Sequence, residues 1–284
     1  ARHPLGVQLI ALEQNIGFAR ANNLAAEAAR GRYLLLLNPD TVVLDDALRR
    51  LVAFAKAWPQ ARIWGGRTVF ADGSLNPASC WGRMTLWNLV CRACGLTGIF
   101  SRSELFNGEA YGGWQRDDIR QVDIVSGCFL LIERAFWQRL GGFDAAFFMY
   151  GEEADLCLRA QALGARPMVT PAATIVHLGG ASERARADKM VRLLAAKASL
   201  IVRHFTPATR RPGLALLALW PLTRWIGLAL AARLSGSAAQ RERALVWRAI
   251  WQRRGEWSKG YPLEPPRRLA HAAPSMLAPQ RPAA

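Results

Sequence analysis

A chain of 284 residues, 51% of them hydrophobic, holds enough apolar material for a sizeable core and is long enough for one large domain, or for one domain plus an appendage. A formal net charge of +16 argues for an anionic partner: a membrane, nucleic acid or a phosphorylated substrate. The five cysteines (Cys80, Cys91, Cys94, Cys128 and Cys157) are odd in number and lack a framework spacing, which excludes a disulfide-stapled scaffold and fits a reduced, cytosolic chain.

The first third alternates strands and helices. Val7 to Leu12 reads as a strand, Phe18 to Ala29 as an Ala-rich helix and Tyr33 to Leu37 as a second strand. Asp45 to Ala57 is the next helix, with Asp45 or Asp46 able to cap its start. Strand, helix, strand of this length implies a right-handed βαβ unit and a largely parallel sheet. Between the two strands lies "EQNIGFARANN". Gly17 fits a tight turn before the helix. Asn15, Asn22 and Asn23 put amides beside it, which can either read a base or ribose or cap the helix. The chain begins with Ala, has no signal-peptide pattern and opens almost at once on an interior-looking strand, so it is expected to be part of a longer gene product.

"LLLLNPDTVV", residues 34 to 43, runs a greasy strand into Asn38-Pro39-Asp40. A charge at a strand tip is costly unless solvated, paired or bound to a metal. Ligands of open α/β sheets gather at the carboxyl ends of strands, so Asp40 is a candidate site residue. The alternative is an ordinary turn, where Asn, Pro and Asp are all common.

"RTVFADGSLNPAS" reads as a hairpin turning at Asp72-Gly73. Trp81, Trp87, Phe100, Phe106 and Tyr111 then sit among Gly and Arg, either as a mobile loop over a site or as aromatic packing. Cys91 and Cys94 form one CxxC with no second pair and no nearby His, which argues against zinc.

Val122 to Ile132 has strand composition, interrupted at Ser126-Gly127, where a bulge or a close approach of backbone to a ligand fits. Gly141-Gly142-Phe143-Asp144 is a turn, and Tyr150 to Leu163 begins as a loop and becomes a helix. Glu152, Glu153 and Asp155 crowd its start. They serve either as favourable charge at a helix N-terminus or, because they repel, as a source of one carboxylate with a raised pKa able to act as a base. Met168 to Thr170 and Thr174 to Val176 are short strands, with His177 at the end of the second.

The ordered series Asn15-Ile16-Gly17-Phe18, Asn22-Asn23, Leu37-Asn38-Pro39-Asp40, Gly127, Gly142-Phe143-Asp144, Phe147-Phe148-Met149-Tyr150, Glu152-Glu153-Ala154-Asp155-Leu156-Cys157-Leu158-Arg159 and His177 resembles family 2 glycosyltransferases, in particular the bacterial rhamnosyltransferase-like enzymes. Each motif alone is weak; their order and spacing carry the likeness, over roughly residues 7 to 180. The resemblance implies a GT-A fold, an α/β Rossmann-like domain with a mostly parallel central sheet and flanking helices. It implies an inverting transfer from a nucleoside-diphosphate sugar, with activated rhamnose the candidate donor, to a glycan or lipid-linked acceptor. In that frame the leucine run is a central strand. Asp40 holds Mg2+ or Mn2+, with His177 assisting at the metal or diphosphate. Glu153 is the general base. Asn15, Gly17, Asn22 and Asn23 line the nucleotide side, and Asn38, Gly127, Glu152, Asp155 and Arg159 complete the substrate-binding set. For Asp155 and Arg159 a structural pair four residues apart is the alternative. The family usually has Glu-Asp where this chain has Glu152-Glu153.

The tail is more basic than the rest. From Arg203 to the end there are 14 Lys/Arg against 3 Asp/Glu, a net of +11. "ARADKMVRLLAAKASLIVRHF" has helical periodicity. Residues 213–234 match a membrane-spanning length, but Pro221 and Arg224 interrupt them, which fits an in-plane or hairpin anchor better than a span or a helix packed on the catalytic domain. The arginines after residue 235 suit anionic headgroups, and the Pro, Ala and Arg content from Pro262 onward suits disorder. The expected organisation is a GT-A domain over 1–205, a helical membrane-associating region over 206–260 and a tail over 261–284. The expected place is the cytoplasmic face of a bacterial inner membrane. Two other classes compete: a non-catalytic membrane-associated binding protein on a glycosyltransferase scaffold, and a nucleic-acid binder. The second has only charge in its favour, with no matching motif, so no nucleic acid is expected.

Overall fold

The leucine run does fold as a strand. In the computed structural model, which describes residues 6–178 and 186–262, it is β1 (Tyr33–Leu37), preceded by α1 (Phe18–Ala28). β2 (Thr41–Val43), α2 (Ala47–Ala57) and β3 (Ile63–Val69) follow. Asp46 stands at the cap position of α2, but its carboxylate accepts from Arg49 instead of capping. The hairpin after β3 turns at Asp72-Gly73, with Asp72 accepting from the Ser74 backbone and hydroxyl. Next come β4 (Cys80–Trp81), α3 (Leu86–Ala93), α4 (Leu96–Ile99), β5 (Arg120–Gln121), β6 (Ile124–Val125), β7 (Phe129–Glu133), α5 (Arg134–Leu140), α6 (Glu152–Ala162) and β8 (Met168–His177). Four helices end the described chain: α7 (Arg186–His204), α8 (Pro207–Ser235), α9 (Ala238–Gln252) and α10 (Arg254–Trp257).

The main sheet has the order β1-β7-β3-β8-β2, with β5 on β8, and β4 pairs with β6 apart from it. The α/β architecture is as expected, but the strand directions are not. β7 is antiparallel to both β1 and β3, β2 and β5 are antiparallel to β8, and β3 with β8 is the one parallel pair among the described strands. The cause is the route of the chain. After the Ser126–Cys128 turn β7 enters at the carboxyl end of β1, Phe129 opposite Leu37, and so runs back along both neighbours. β1 and β3 thus remain parallel to each other, joined through α2, with β7 slotted between them.

Two further expectations are corrected. β1 is an edge strand among the described residues, not a central one: β7 is its sole named partner, and Leu35 and Leu37 are 37% and 39% exposed. Val7 to Leu12 forms no named strand, and Val7, Leu9 and Leu12 are exposed.

Each face of the sheet has its own core. Alternation along β7 sends Leu130 and Ile132 to one face, with Leu34, Leu36, Phe136 and Leu156. Phe129 and Leu131 go to the other, with Leu51 and Phe54 of α2. A third cluster joins Leu89 of α3 to Leu194 and Ile201 of α7, Leu217 and Trp220 of α8, Ile250 and Trp257. The tail helices therefore pack onto the α/β unit. α8 runs 29 residues despite Pro212 and Pro221, between a Thr206 side-chain cap and a left-handed Gly236. The expected tail over 261–284 lies almost wholly outside the described residues.

Candidate active site

Four chain segments meet at the carboxyl end of β1. The Asn38 N–H donates to the Cys128 carbonyl (3.2 Å), which ties the Asn38-Pro39-Asp40 corner to the turn between β6 and β7. The Leu178 N–H donates to the Asp40 carbonyl (3.0 Å), and Thr41 pairs with His177 in the β2–β8 ladder. That ladder brings His177 Nε2 to 3.4 Å from Asp40 Oδ1 and from Asn38 Nδ2. The fourth segment is the start of α6: a Cβ placed on Gly127 would sit 3.3 Å from the Phe18 ring and 3.9 Å from Glu153 Cβ. Only hydrogen fits there without crowding the floor of the site.

These segments line one cleft of about 1720 Å³, with Asn38, Asp40 and His177, Ser126 to Cys128, and Gly151 to Ala154 in its walls. Its other half is apolar: Met84, Leu193, Leu200, Phe205 and Trp220. An ion cluster stands at the junction, where Glu109 accepts from Arg92 (3.0 Å) and from Lys197.

The paired carboxyls of α6 are perturbed. Burial, and then the charge of Glu153, pushes Glu152 up to about 9; burial also raises Glu153, which is half-buried on the cleft wall. Glu152 Oε2 is buried without a hydrogen-bond partner among the described residues, which further opposes its ionised form. The Cys128 thiol is pushed up to about 11, first by burial, with a contribution from both Glu153 and Asp40, so the two carboxylates act on one spot.

A divalent cation fits the Asp40 end in part. One carboxylate oxygen and one imidazole nitrogen face the same space, and His177 Nδ1 is buried with no partner among the described residues. Among the described residues no group of three or more His, Cys, Asp or Glu gathers there, so these offer two donors and the remaining positions would fall to phosphate oxygens and water.

The other candidates have different placements. Asn15 Oδ1 accepts from the Gly17 N–H (3.0 Å), and Gly17, at φ 83°, passes so close to Phe148 that a Cβ would lie 2.4 Å from its carbonyl oxygen. Asn22 donates to the Phe18 carbonyl within α1. Asn23 makes a reciprocal pair with the Phe143 backbone, both bonds 2.9 Å. None of these four lines the cleft; the residue of this motif that does is Phe18. Asp155 is fully buried, 2.7 Å from Arg159 Nε and 2.8 Å from His204 Nε2. Arg159 also donates to the carbonyls of Leu140 and Gly142. The pair therefore clamps α6 to the Gly141–Asp144 turn and to α7. Burial alone would raise Asp155; the His204 hydrogen bond and the Arg159 charge outweigh it and lower its pKa.

Sequence reading missed Asn76, which is buried in the cleft wall and donates to the His177 carbonyl (3.3 Å) while capping Ala78. The signal was the Asn-Pro step after the hairpin. It also missed Lys197 and Glu109, whose partnership no local pattern announces. Of the aromatic segment, Trp81 lines the cleft, while Trp87, Phe100 and Phe106 stack on one another.

Residues 1–207 match the family described as glycosyltransferase like family 2. The chain is similar to the O-antigen biosynthesis protein RfbC of Myxococcus xanthus, 31% identical over 173 residues, which covers 58% of this chain and 12% of that protein. It is similar to the rhamnosyltransferase WbbL of Escherichia coli (strain K12), 27% identical over 185 residues, covering 62% of this chain and 66% of that one. It is also similar to the N-acetylglucosaminyl-diphospho-decaprenol L-rhamnosyltransferase of Mycobacterium tuberculosis (strain ATCC 25618 / H37Rv), 25% identical over 194 residues, with 62% and 60% covered. The chain thus spans from 12% to 66% of the length of these relatives. Among solved structures, the mannosyltransferase PcManGT from Pyrobaculum calidifontis, in complex with GDP-Man and Mn2+, shares the fold at a TM-score of 0.50 and 15% identity, over 90% of this chain and 71% of that one.

Proposed function

The chain belongs to glycosyltransferase family 2 and has the GT-A fold, and on that premise we propose that it catalyses inverting transfer of a sugar from a nucleoside-diphosphate donor to a hydroxyl of a glycan or lipid-linked acceptor, in bacterial surface polysaccharide synthesis. The observation that carries this reading is that Asp40 with His177 and Glu152 with Glu153 line one cleft. Rhamnose is the sugar favoured by the names of two relatives.

Asp40 and His177 would hold Mg2+ or Mn2+, which when bound neutralises the charge that builds on the departing diphosphate. Asn38 steadies His177 from the strand end, and Asn76 holds its carbonyl. Glu153 takes the proton of the acceptor hydroxyl. The freed oxygen forms its bond to the anomeric carbon from the face opposite the leaving group, and the electron pair of the broken C–O bond goes to the diphosphate. Glu152, protonated at neutral pH, keeps the pair at one negative charge. Gly127 lets the turn after β6 approach Phe18 and Glu153 without a side chain between them.

The same reading places the chain on a cytoplasmic membrane surface through α8, whose most apolar 18-residue stretch has a mean hydropathy of 1.6 and is largely exposed, as suits an in-plane anchor. The test is turnover of a panel of nucleotide sugars with Mn2+, comparing the parent chain with Asp40→Ala and Glu153→Gln. Turnover of one donor, lost in both variants, is the expected result. No turnover and no metal-dependent nucleotide binding would leave a binding protein on this scaffold instead.

A further inference from the structure

Large apolar side chains left in water mark interaction surfaces when they adjoin. α8 exposes one such stripe: Leu219, Ile226, Leu230 and Leu234 recur at seven- and four-residue spacing and are 43%, 47%, 52% and 90% exposed. A second exposed set belongs to α4 and the loop after it, where Ile99 and Leu105 are 72% and 62% exposed. The two sets are neighbours. Thr223, within the α8 stripe, donates its hydroxyl to the Ala93 carbonyl (2.7 Å) at the end of α3, and a Cβ on Gly98 of α4 would lie 3.5 Å from the Arg224 guanidinium. The loop is also held in place: Trp87 Nε1 donates to the Leu105 carbonyl (2.7 Å), and Phe100 stacks on Phe106 at 4.8 Å. Ile99 and Leu105 are thus presented outward by a fixed platform.

We infer that α4 with its following loop and the exposed stripe of α8 form one face that docks on an anionic phospholipid surface. This rests on the reading of α8 as membrane-associating and adds a second contact, separate from it in sequence. Charge names the occupant: between residues 207 and 257 the chain carries nine arginines against Glu242 and Glu256, and Arg102 stands in the loop itself. Apolar side chains enter the acyl boundary while arginines meet the headgroups. Trp220, next to Leu219 on the same helix, lines the cleft. The apolar half of the site therefore lies about one helix diameter, about 10 Å, from the proposed lipid surface. Two contacts also fix the orientation of the cleft on the bilayer, which a single in-plane helix leaves free to roll.

The test is co-sedimentation of the full 284-residue chain with vesicles of phosphatidylglycerol and phosphatidylcholine, and of phosphatidylcholine alone. Three proteins are compared: the parent, Ile99→Ser/Leu105→Ser and Ile226→Ser/Leu230→Ser. All four side chains are exposed, so circular dichroism should report an unchanged fold. The expected result is parent binding that prefers the anionic vesicles, weakened at least fivefold in each double variant, with donor hydrolysis by the loop variant unchanged when no vesicles are present. Full binding by the loop variant together with loss in the α8 variant would overturn the two-contact face and leave the α8 anchor standing. No binding by the parent would overturn both. A dimer detected by light scattering and abolished by Ile99→Ser/Leu105→Ser would assign the face to a second copy and overturn the lipid proposal.

Discussion

His177 Nε2 lies 3.4 Å from Asp40 Oδ1, at the end of an antiparallel ladder that pairs Thr41 with His177. Backbone bonds, not the side chains themselves, hold the two in register, so either side chain can be removed without unpairing the strands. Asp40→Ala is expected to lower donor turnover by about 100-fold or more, equivalent to about 2.7 kcal/mol of lost transition-state stabilisation. Titration of Mn2+ in the presence of nucleoside diphosphate should show the same loss. Unchanged metal-dependent nucleotide binding in the variant would move the metal elsewhere.

Glu152 and Glu153 share a buried helix start and titrate as a pair. Ionising Glu153 is opposed by burial. Glu153→Gln should cost about 10²–10⁴-fold in kcat, the usual worth of a general base. Glu152→Gln puts a neutral amide where the protonated carboxyl stands, so the acid limb of kcat/KM, set by Glu153, should stay in place. A limb that moves to lower pH would show that Glu152 carries charge in that range.

The same pair predicts a stability effect. The folded pKa of Glu152, about 9, stands above its ordinary 4.5, so the folded state binds the extra proton and loses relative stability as pH rises between those values. Glu152→Gln should therefore be more stable than the parent by about 1–3 kcal/mol at pH 9, with the gain shrinking toward pH 4.5. Denaturant unfolding at both pH values measures it, and a constant difference would sink the assignment.

Glu109 has the opposite sign. Burial opposes its charge, but Lys197 and Arg92 outweigh that and hold it down at about 2, below the ordinary 4.5. Its contribution is fully present above pH 4.5 and is lost as pH falls toward 2. Glu109→Gln leaves Lys197 buried without its anion and should cost about 3–5 kcal/mol at pH 7. The difference from the parent should narrow in acid, as thermal melts across that range would show.

Asn23 separates a bracing role from a binding one. Asn23→Ala removes both bonds to Phe143 and should cost about 1–3 kcal/mol, seen as a fall of several degrees in Tm, with donor KM unchanged. A raised KM at unchanged Tm would return Asn23 to the nucleotide pocket.

Local pattern was enough for the parts whose cause is local. The leucine run, the Asp72-Gly73 hairpin, the break at Ser126-Gly127, the paired glycines before Asp144 and the crowding of Glu152 with Glu153 were all legible, because each reports the conformation of its own few residues. The order of motifs carried the family. What the sequence could not give is what depends on where distant segments meet. The direction of β7 follows from which end of β1 it enters. The burial of β1 depends on how many neighbours it has, and its leucines read the same in a central strand and in an edge strand. The amides of Asn22 and Asn23 suit a ribose as well as a backbone, and only packing showed which groups they reach. Asp40 with His177, and Lys197 with Glu109, are contacts across long separations, created when the sheet closes and α7 lies over the cleft. Composition and periodicity are properties of neighbours along the chain, and determined the elements and the family; a site is a property of neighbours in space, and the tertiary structure alone decided which of the named residues face one another.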